Sequence, residues 1–193
     1  MSHYKIVLHR AMWVRGHDPI DTACRVCRLA HESIEHFAEC EKMRPIFDAF
    51  ARLASVDMSK ATATEWKRLA LFALPPRGKM AEGWINMHLL LWKQCVYQLT
   101  TVSTEDATFS SHEVWQAAWA RFERKALAKQ EHIRTILLRA ESRGIEPPDV
   151  IKKASPLTPL ATITPEGKVV FDESIVQQIK ALGTKPPKPT RGR

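Results

Sequence analysis

The chain has 193 residues, of which 29 are Lys or Arg and 21 are Asp or Glu, giving a net charge of +8. Hydrophobic residues make up 45% and six residues are tryptophans, which excludes a disordered chain and indicates a buried core. No stretch reaches the roughly 18 consecutive apolar residues of a membrane span. The basic surplus predicts an anionic partner, nucleic acid ahead of acidic membrane or protein. A surplus that only promotes solubility is the alternative.

Three of the four cysteines lie within 17 residues at the spacing of metal ligands. Cys24 and Cys27 form a C-x2-C pair, and His36 and Cys40 form an H-x3-C pair, with eight residues between the two pairs. A C-x2-C turn directs two thiolates at one point. A helix opening near Ser33 would place the second pair on one face. Because three thiolates and one imidazole favour zinc over magnesium or calcium, the spacing predicts a closed tetrahedral zinc site.

Two alternatives to this ligand set stay open. The cysteines could be buried free thiols beside a hydrogen-bonded core histidine, or His31 could replace His36 as the fourth ligand. Glu35 is a candidate hydrogen-bond partner of the metal-binding histidine. Cys95 lies alone in an apolar run, so we expect it to fill the core. This use of cysteine favours a reducing compartment, with the nucleus and the mitochondrion as candidates.

The cluster also resembles a known zinc-binding domain. Residues 32–40, ESIEHFAEC, resemble the E-S/T-x-x-H-x3-C half of the domain that follows the catalytic domain in non-LTR (LINE-type) reverse transcriptases. The C-x2-C pair is similar to that family's first half. Residues 9–16 resemble its basic lead-in helix, and residues 89–94 resemble its tryptophan-centred helix. The resemblance implies a CCHC zinc site formed by Cys24, Cys27, His36 and Cys40.

Two residues depart from that family's pattern. Pro usually follows the first cysteine and Gly the second, whereas Arg25 and Arg28 stand at these positions here. The sequence contains neither a polymerase core nor a paired-aspartate polymerase motif. The resemblance therefore implies a detached or repurposed zinc module and not a polymerase.

Helices dominate the predicted secondary structure. The predicted helices are residues 3–15, 45–53, 65–74, 80–101, 112–142 and 175–182. Thr64 is the expected cap of the third helix. The fourth helix is apolar on most of its faces, which indicates a buried central helix. Asp172 or Ser174 is expected to cap the last one.

The helix over 112–142 is the longest predicted element. About 30 residues span roughly 45 Å, more than a core of this size needs, so the distal half is expected to project. Its apolar residues and one lysine recur at heptad spacing: Trp115, Trp119, Phe122, Ala126, Lys129, Ile133, Ile136 and Ala140. From Arg121 to Arg143, seven Lys and Arg oppose three Glu. This helix has two open interpretations, a phosphate-binding face and an ordinary solvated face.

The composition changes after the long helix. Eight of the 12 prolines lie between residues 147 and 189. Residues 161–164 and 168–171 are predicted to form a small hairpin. The fold is therefore predicted to be mainly α, with a zinc knuckle packed on a helical bundle and a Pro-rich extension with a β-hairpin. The expected domains are a knuckle module (1–56), a helical bundle (57–144) and a basic arm (145–193).

No catalytic motif is apparent in the sequence. It has no Walker-type loop, no G-x-S-x-G and no H-E-x-x-H. A closed four-ligand zinc site also leaves no position for an activated water. The chain is therefore predicted to be no enzyme and to have no small-molecule substrate.

The basic residues favour a nucleic-acid-binding protein, with RNA ahead of DNA, acting as a subunit of a ribonucleoprotein such as an organellar ribosome. The alternative is a structural accessory subunit of a multi-protein assembly, with zinc as a staple and no nucleic-acid contact. The predicted nucleic-acid contacts are Arg10, Arg15, Arg25, Arg28, Arg121, Arg124, Lys125, Lys185, Lys188, Arg191 and Arg193.

Overall fold

The chain folds into a mainly helical structure with one small hairpin, which confirms the predicted fold class. The computed structural model describes residues 24, 26–31, 33–76, 78–101, 109–144 and 157–182. Its elements are α1 (Ile34–Glu39), α2 (Arg44–Leu53), α3 (Ala63–Phe72), α4 (Glu82–Thr101), α5 (Ser111–Glu141), β1 (Ala161–Ile163), β2 (Val169–Phe171) and α6 (Glu173–Leu182). The helix predicted over 3–15 lies outside the described residues. None of the described helices is both long and apolar enough to span a bilayer.

The described residues divide into two compact units. The first unit contains the described residues up to Met80 together with Leu91–Ser111. The second contains Ala81–Leu90 and the described residues from His112 onward. Helix α4 contributes its first half to the second unit and its second half to the first. The three domains expected from composition stay a prediction.

Side-chain caps set where α1 and α3 begin. The Ser33 hydroxyl accepts a hydrogen bond from the N–H of His36 and opens α1, as predicted. The cap predicted at Thr64 is wrong, because α3 begins after Thr62. The Thr62 hydroxyl accepts from the N–H of Glu65, and the Glu65 carboxylate accepts from the N–H of Thr62 at 2.8 Å. A capping box needs an acidic residue three positions after the capping residue. Thr62 has Glu65 at that position, whereas Thr64 has Lys67, which cannot accept the hydrogen bond.

Two tryptophans connect the helices of the first unit. The Trp66 indole N–H donates to the carbonyl of Ala38 at 3.4 Å, and the Trp92 indole N–H donates to the carbonyl of Ala70 at 2.7 Å. Cys95 is fully buried, as expected for a core filler. The large buried apolar side chains around them are Phe37, Met43, Ile46, Phe47, Phe50, Leu69, Leu91 and Leu99. The two indole hydrogen bonds satisfy polar groups that would otherwise be costly to bury.

Helix α4 is less buried than its composition predicted. Ile85, Leu89 and Tyr97 are exposed, although the helix as a whole is strongly apolar. At about 100° per residue, Ile85 and Leu89 lie about 40° apart around the helix, and Tyr97 lies about 80° further round. Apolar content alone does not reveal which face of a helix a neighbour covers.

Helix α5 buries the predicted apolar series in the second unit. The buried residues are Val114, Trp115, Ala118, Trp119, Phe122, Ala126, Ile133 and Ala140. The heptad positions Lys129 and Ile136 are half-buried. The expectation that the distal half projects is wrong, because the hairpin packs there. In the distal half, the Gln130 side-chain oxygen accepts from the N–H of Val169 at 2.8 Å, and a Cβ added to Gly167 would lie 2.8 Å from Cδ1 of Leu137. In the proximal half, Trp119 meets Phe171 edge-on.

The hairpin and the last helix form as predicted. Strands β1 and β2 are antiparallel, with Ala161 opposite Phe171 and Ile163 opposite Val169. Gly167 ends the turn with a φ of 78°, a left-handed conformation that favours glycine. Of the two expected caps of α6, Asp172 is the one found, since its carboxylate accepts from the N–H of Ile175 at 2.9 Å.

Gly83 in the first turn of α4 packs directly against the backbone of residues 157 and 158. Its N–H donates to the Thr158 carbonyl at 3.0 Å, and an added Cβ would overlap the carbonyl oxygens of Leu157 and Thr158. We expect Gly83→Ala to destabilise the second unit by about 1–3 kcal/mol in urea unfolding, because overpacking outweighs the better helix propensity of alanine. Exposed Glu82→Ala is the control, with a smaller loss. An unchanged or raised stability of Gly83→Ala would contradict this packing.

Candidate metal centre

A tight backbone turn holds the first two cysteines of the candidate site. The N–H of Arg28 donates to the Cys24 carbonyl at 2.8 Å, and the N–H of Cys24 donates to the Ala30 carbonyl at 2.6 Å. The N–H of Leu29 points at the Cys27 sulfur, 3.5 Å away. The turn thus brings both thiols to the same side of the chain and provides a backbone donor to one of them.

Helix α1 supplies the other two residues of the site. His36 lies in its first turn, and Cys40 follows its last residue, with the Cys40 N–H donating to the His36 carbonyl at 2.7 Å. The Cys40 carbonyl then accepts from the N–H groups of Met43 and Arg44. Cys40 therefore lies between two helices, and its backbone connects α1 to the start of α2.

The four predicted ligand residues come together in the structure. One ligand atom from each of Cys24, Cys27, His36 and Cys40 lies within 4.8 Å of the others. The Cys24 and Cys40 sulfurs are 4.0 Å apart, and the Cys27 sulfur is 3.2 Å from Nε2 of His36. Thiolates bound tetrahedrally at about 2.3 Å would be about 3.8 Å apart. The cluster therefore fits a metal ion.

His36, and not His31, is the histidine of this cluster. His31 is exposed and lies outside the group of four. The described cysteines are all free thiols, so no disulfide competes for the cluster sulfurs. Cys27 and His36 are only half-buried, and the convergence of all four side chains on one point favours a metal site over buried free thiols beside a hydrogen-bonded histidine.

Burial and hydrogen bonding give the three thiols different acidities. Burial raises the pKa of Cys40 to about 12, with a further increase from the nearby Cys24 sulfur, and burial also raises the pKa of Cys24. Partial burial raises the pKa of Cys27, but the N–H of Leu29 and the neighbouring thiols donate to its sulfur and lower the pKa overall. Thiols with a raised pKa keep their protons at neutral pH, so a metal ion must displace those protons to bind the sulfurs. Metal affinity will therefore fall as pH falls.

Aromatic side chains pack behind the cluster. Phe37, next to His36, stacks on Trp92 with ring centroids 4.1 Å apart and also contacts Phe47. The Lys67 ammonium pairs with the Glu39 carboxylate at 2.7 Å and ties the end of α1 to α3. The helical spacing of the apolar residues over 45–53 predicts that Phe47 packs behind the cluster, whereas tertiary contacts select Phe37, Trp92 and Lys67. Helical apolar spacing was the only available signal.

Arg28 adopts the left-handed backbone conformation, with a φ of 61°. It stands where the resembled family usually has glycine, and glycine is the residue that takes this conformation without strain. The turn therefore forms here at a cost of about 1 kcal/mol.

The predicted nucleic-acid contacts are only partly covered by the structure. Arg28 is exposed in the first unit, and Arg121, Arg124 and Lys125 are exposed on α5 in the second. The Arg124 guanidinium donates to the Ala120 carbonyl at 3.3 Å. The predicted contacts outside the described residues are Arg10, Arg15, Arg25, Lys185, Lys188, Arg191 and Arg193.

Comparisons of the chain with protein-family models, with characterised proteins and with solved structures found no match. The functional proposals below therefore depend on the chemistry and geometry of the residues of this chain.

Proposed function

We propose that this chain is a non-catalytic, zinc-stabilised protein that binds nucleic acid, RNA ahead of DNA, as a subunit of a ribonucleoprotein such as an organellar ribosome. The main support is the closed Cys3His cluster in a chain of net charge +8. Three sulfurs and one imidazole suit zinc better than the harder cations. Four protein ligands leave no open position for a reacting water, so a zinc ion bound there would stabilise the fold and would not act in catalysis.

Exposed basic residues support the nucleic-acid part of the proposal. Arg28 lies in the knuckle turn, one residue from a candidate metal ligand, and further Lys and Arg are exposed along α5. Lysine and arginine bind phosphates with counterion release, which supplies most of the affinity of sequence-independent binding. The resemblance to the zinc module of LINE-type reverse transcriptases supports the same conclusion and suggests a repurposed module of that type.

Salt dependence is the most informative test of nucleic-acid binding. We expect labelled RNA to bind at low salt in fluorescence anisotropy, with the affinity falling steeply between about 50 and 200 mM salt. The slope of log affinity against log salt counts the phosphates contacted. Absence of binding to both RNA and DNA at about 50 mM salt would contradict the proposal.

Arg28→Gly removes a knuckle charge without straining the turn. Because the residue has a φ of 61°, glycine fits the backbone at least as well as arginine. We expect an unchanged metal content, RNA binding about three- to tenfold weaker, and a salt slope reduced by about 1. The exposed Arg52→Gln on α2 is the control for net charge. Equal losses in both variants would show that Arg28 makes no specific contact.

The structure also offers support for the alternative, a structural accessory subunit. Phe72 and Tyr97 in the first unit are more than half exposed, at 59% and 56%. Large exposed apolar side chains of this kind suit protein contacts. A partner held through them would stay bound as salt rises, so partner binding that is insensitive to salt, together with no RNA binding, would favour this alternative.

A further inference from the structure

Helix α5 carries three cations and one histidine on one face. With about 100° between successive residues, Arg121, Lys125, His132 and Arg139 lie within about 40° of one another. All four are exposed, and we call them the basic face. The glutamates of the same stretch, Glu123, Glu131 and Glu141, lie at least about 80° away around the helix. The face spans 18 residues, or about 27 Å along the helix axis.

Two cations of the basic face have no acidic partner among the described residues. Among the described residues, no carboxylate lies within ion-pair distance of Lys125 or Arg139. The off-face Arg134, by contrast, pairs with Glu131 at 3.6 Å. The two unpaired cations are 14 residues apart, about 21 Å along the helix. Their charge is therefore available to an external anion.

The aromatic residues of α5 lie away from the basic face. Trp115, Trp119 and Phe122 are all buried in the second unit, where Trp119 contacts Phe171 and Phe122. Proteins that bind single strands combine a basic groove with aromatic side chains on which bases stack. Because α5 itself places no aromatic side chain among the cations of the basic face, the face suits a ligand whose phosphates are outside and whose bases are already stacked.

We infer that the basic face of α5 binds the phosphate backbone of a nucleic-acid duplex without reading its sequence. The inference rests on the proposed nucleic-acid-binding function and specifies its ligand as double-stranded. Double-stranded RNA is recognised mainly by shape and by backbone contacts. The length of the face, about 27 Å, is comparable with one turn of a duplex, about 34 Å in B-form DNA.

The test compares a labelled RNA duplex of about 22 base pairs, its single strand and the matching DNA duplex by anisotropy at several salt concentrations. We expect either duplex to bind at least about tenfold more tightly than the strand. The double variant Lys125→Gln/Arg139→Gln should lose about tenfold in duplex affinity and about 2 in salt slope. The control Arg134→Gln/Lys180→Gln removes two exposed charges of the same unit off the face and should lose much less.

The outcomes separate this inference from the proposed function. Equal losses in the test and control variants, with both proteins folded by circular dichroism, would overturn the basic face as the binding site. A single strand bound as tightly as the duplex would also overturn it. Both results would leave nucleic-acid binding itself intact. Absence of binding to every probe at about 50 mM salt would overturn the proposed function as well.

Discussion

Replacing Cys40 by serine is expected to abolish metal binding and to unfold the knuckle together with the helices that pack on it. Cys40 is fully buried, provides one sulfur of the cluster, and joins α1 to α2 through its backbone. Structural zinc contributes on the order of 10 kcal/mol to folding, which is comparable with the whole stability of a domain. Circular dichroism should show lost helix, and elemental analysis should show lost metal.

Cys95→Ala is the matched control for this prediction. Cys95 is a buried free thiol of the same unit but lies outside the cluster. We expect this variant to keep its metal and to lose about 1 kcal/mol from its free energy of unfolding. A folded Cys40→Ser protein with the stability of the parent chain would show that the cluster does not stabilise the fold.

Trp92→Ala is expected to cause the second-largest loss, about 3–5 kcal/mol in the free energy of unfolding. The substitution removes the ring stacked on Phe37 at 4.1 Å and leaves the Ala70 carbonyl without its indole donor. Because Phe37 adjoins His36, the metal should also be lost more readily to a chelator. Urea unfolding and the rate of metal transfer to a chromogenic chelator measure the two effects.

Trp92→Phe separates the ring packing from the hydrogen bond. It keeps an aromatic ring opposite Phe37 but removes the indole N–H and part of the ring volume, so a loss of about 1–3 kcal/mol is expected, with little change in metal release. If Trp92→Ala releases its metal no faster than Trp92→Phe, the stack on Phe37 does not support the metal centre.

Local spacing was sufficient to predict the four residues of the candidate metal centre. A C-x2-C turn and an H-x3-C pair at a helix end fix their side chains within a few residues, so Cys24, Cys27, His36 and Cys40 could be selected before the fold was known. The cap at Ser33 was predictable for the same reason. The predicted cap of α3 was two residues too late, because Glu65 completes a capping box with Thr62 and not with Thr64.

Tertiary contacts decided what local patterns could not. The apolar series of α5 was predicted, but the hairpin that covers its distal half is more than 20 residues away in the chain. In α4, apolar content did not identify Leu89 and Tyr97 as exposed. The sequence around Gly83 does not indicate that glycine is required there, because the requirement comes from close contact with the backbone of Leu157 and Thr158.

The most direct test of the zinc centre is elemental analysis of the purified chain beside the Cys40→Ser variant. We predict about one zinc ion per chain in the parent protein and none in the variant, because the cluster offers one closed four-ligand site. Removing that zinc with a chelator should unfold the knuckle. A parent protein that contains no transition metal and keeps its helical content would contradict the zinc-stabilised fold.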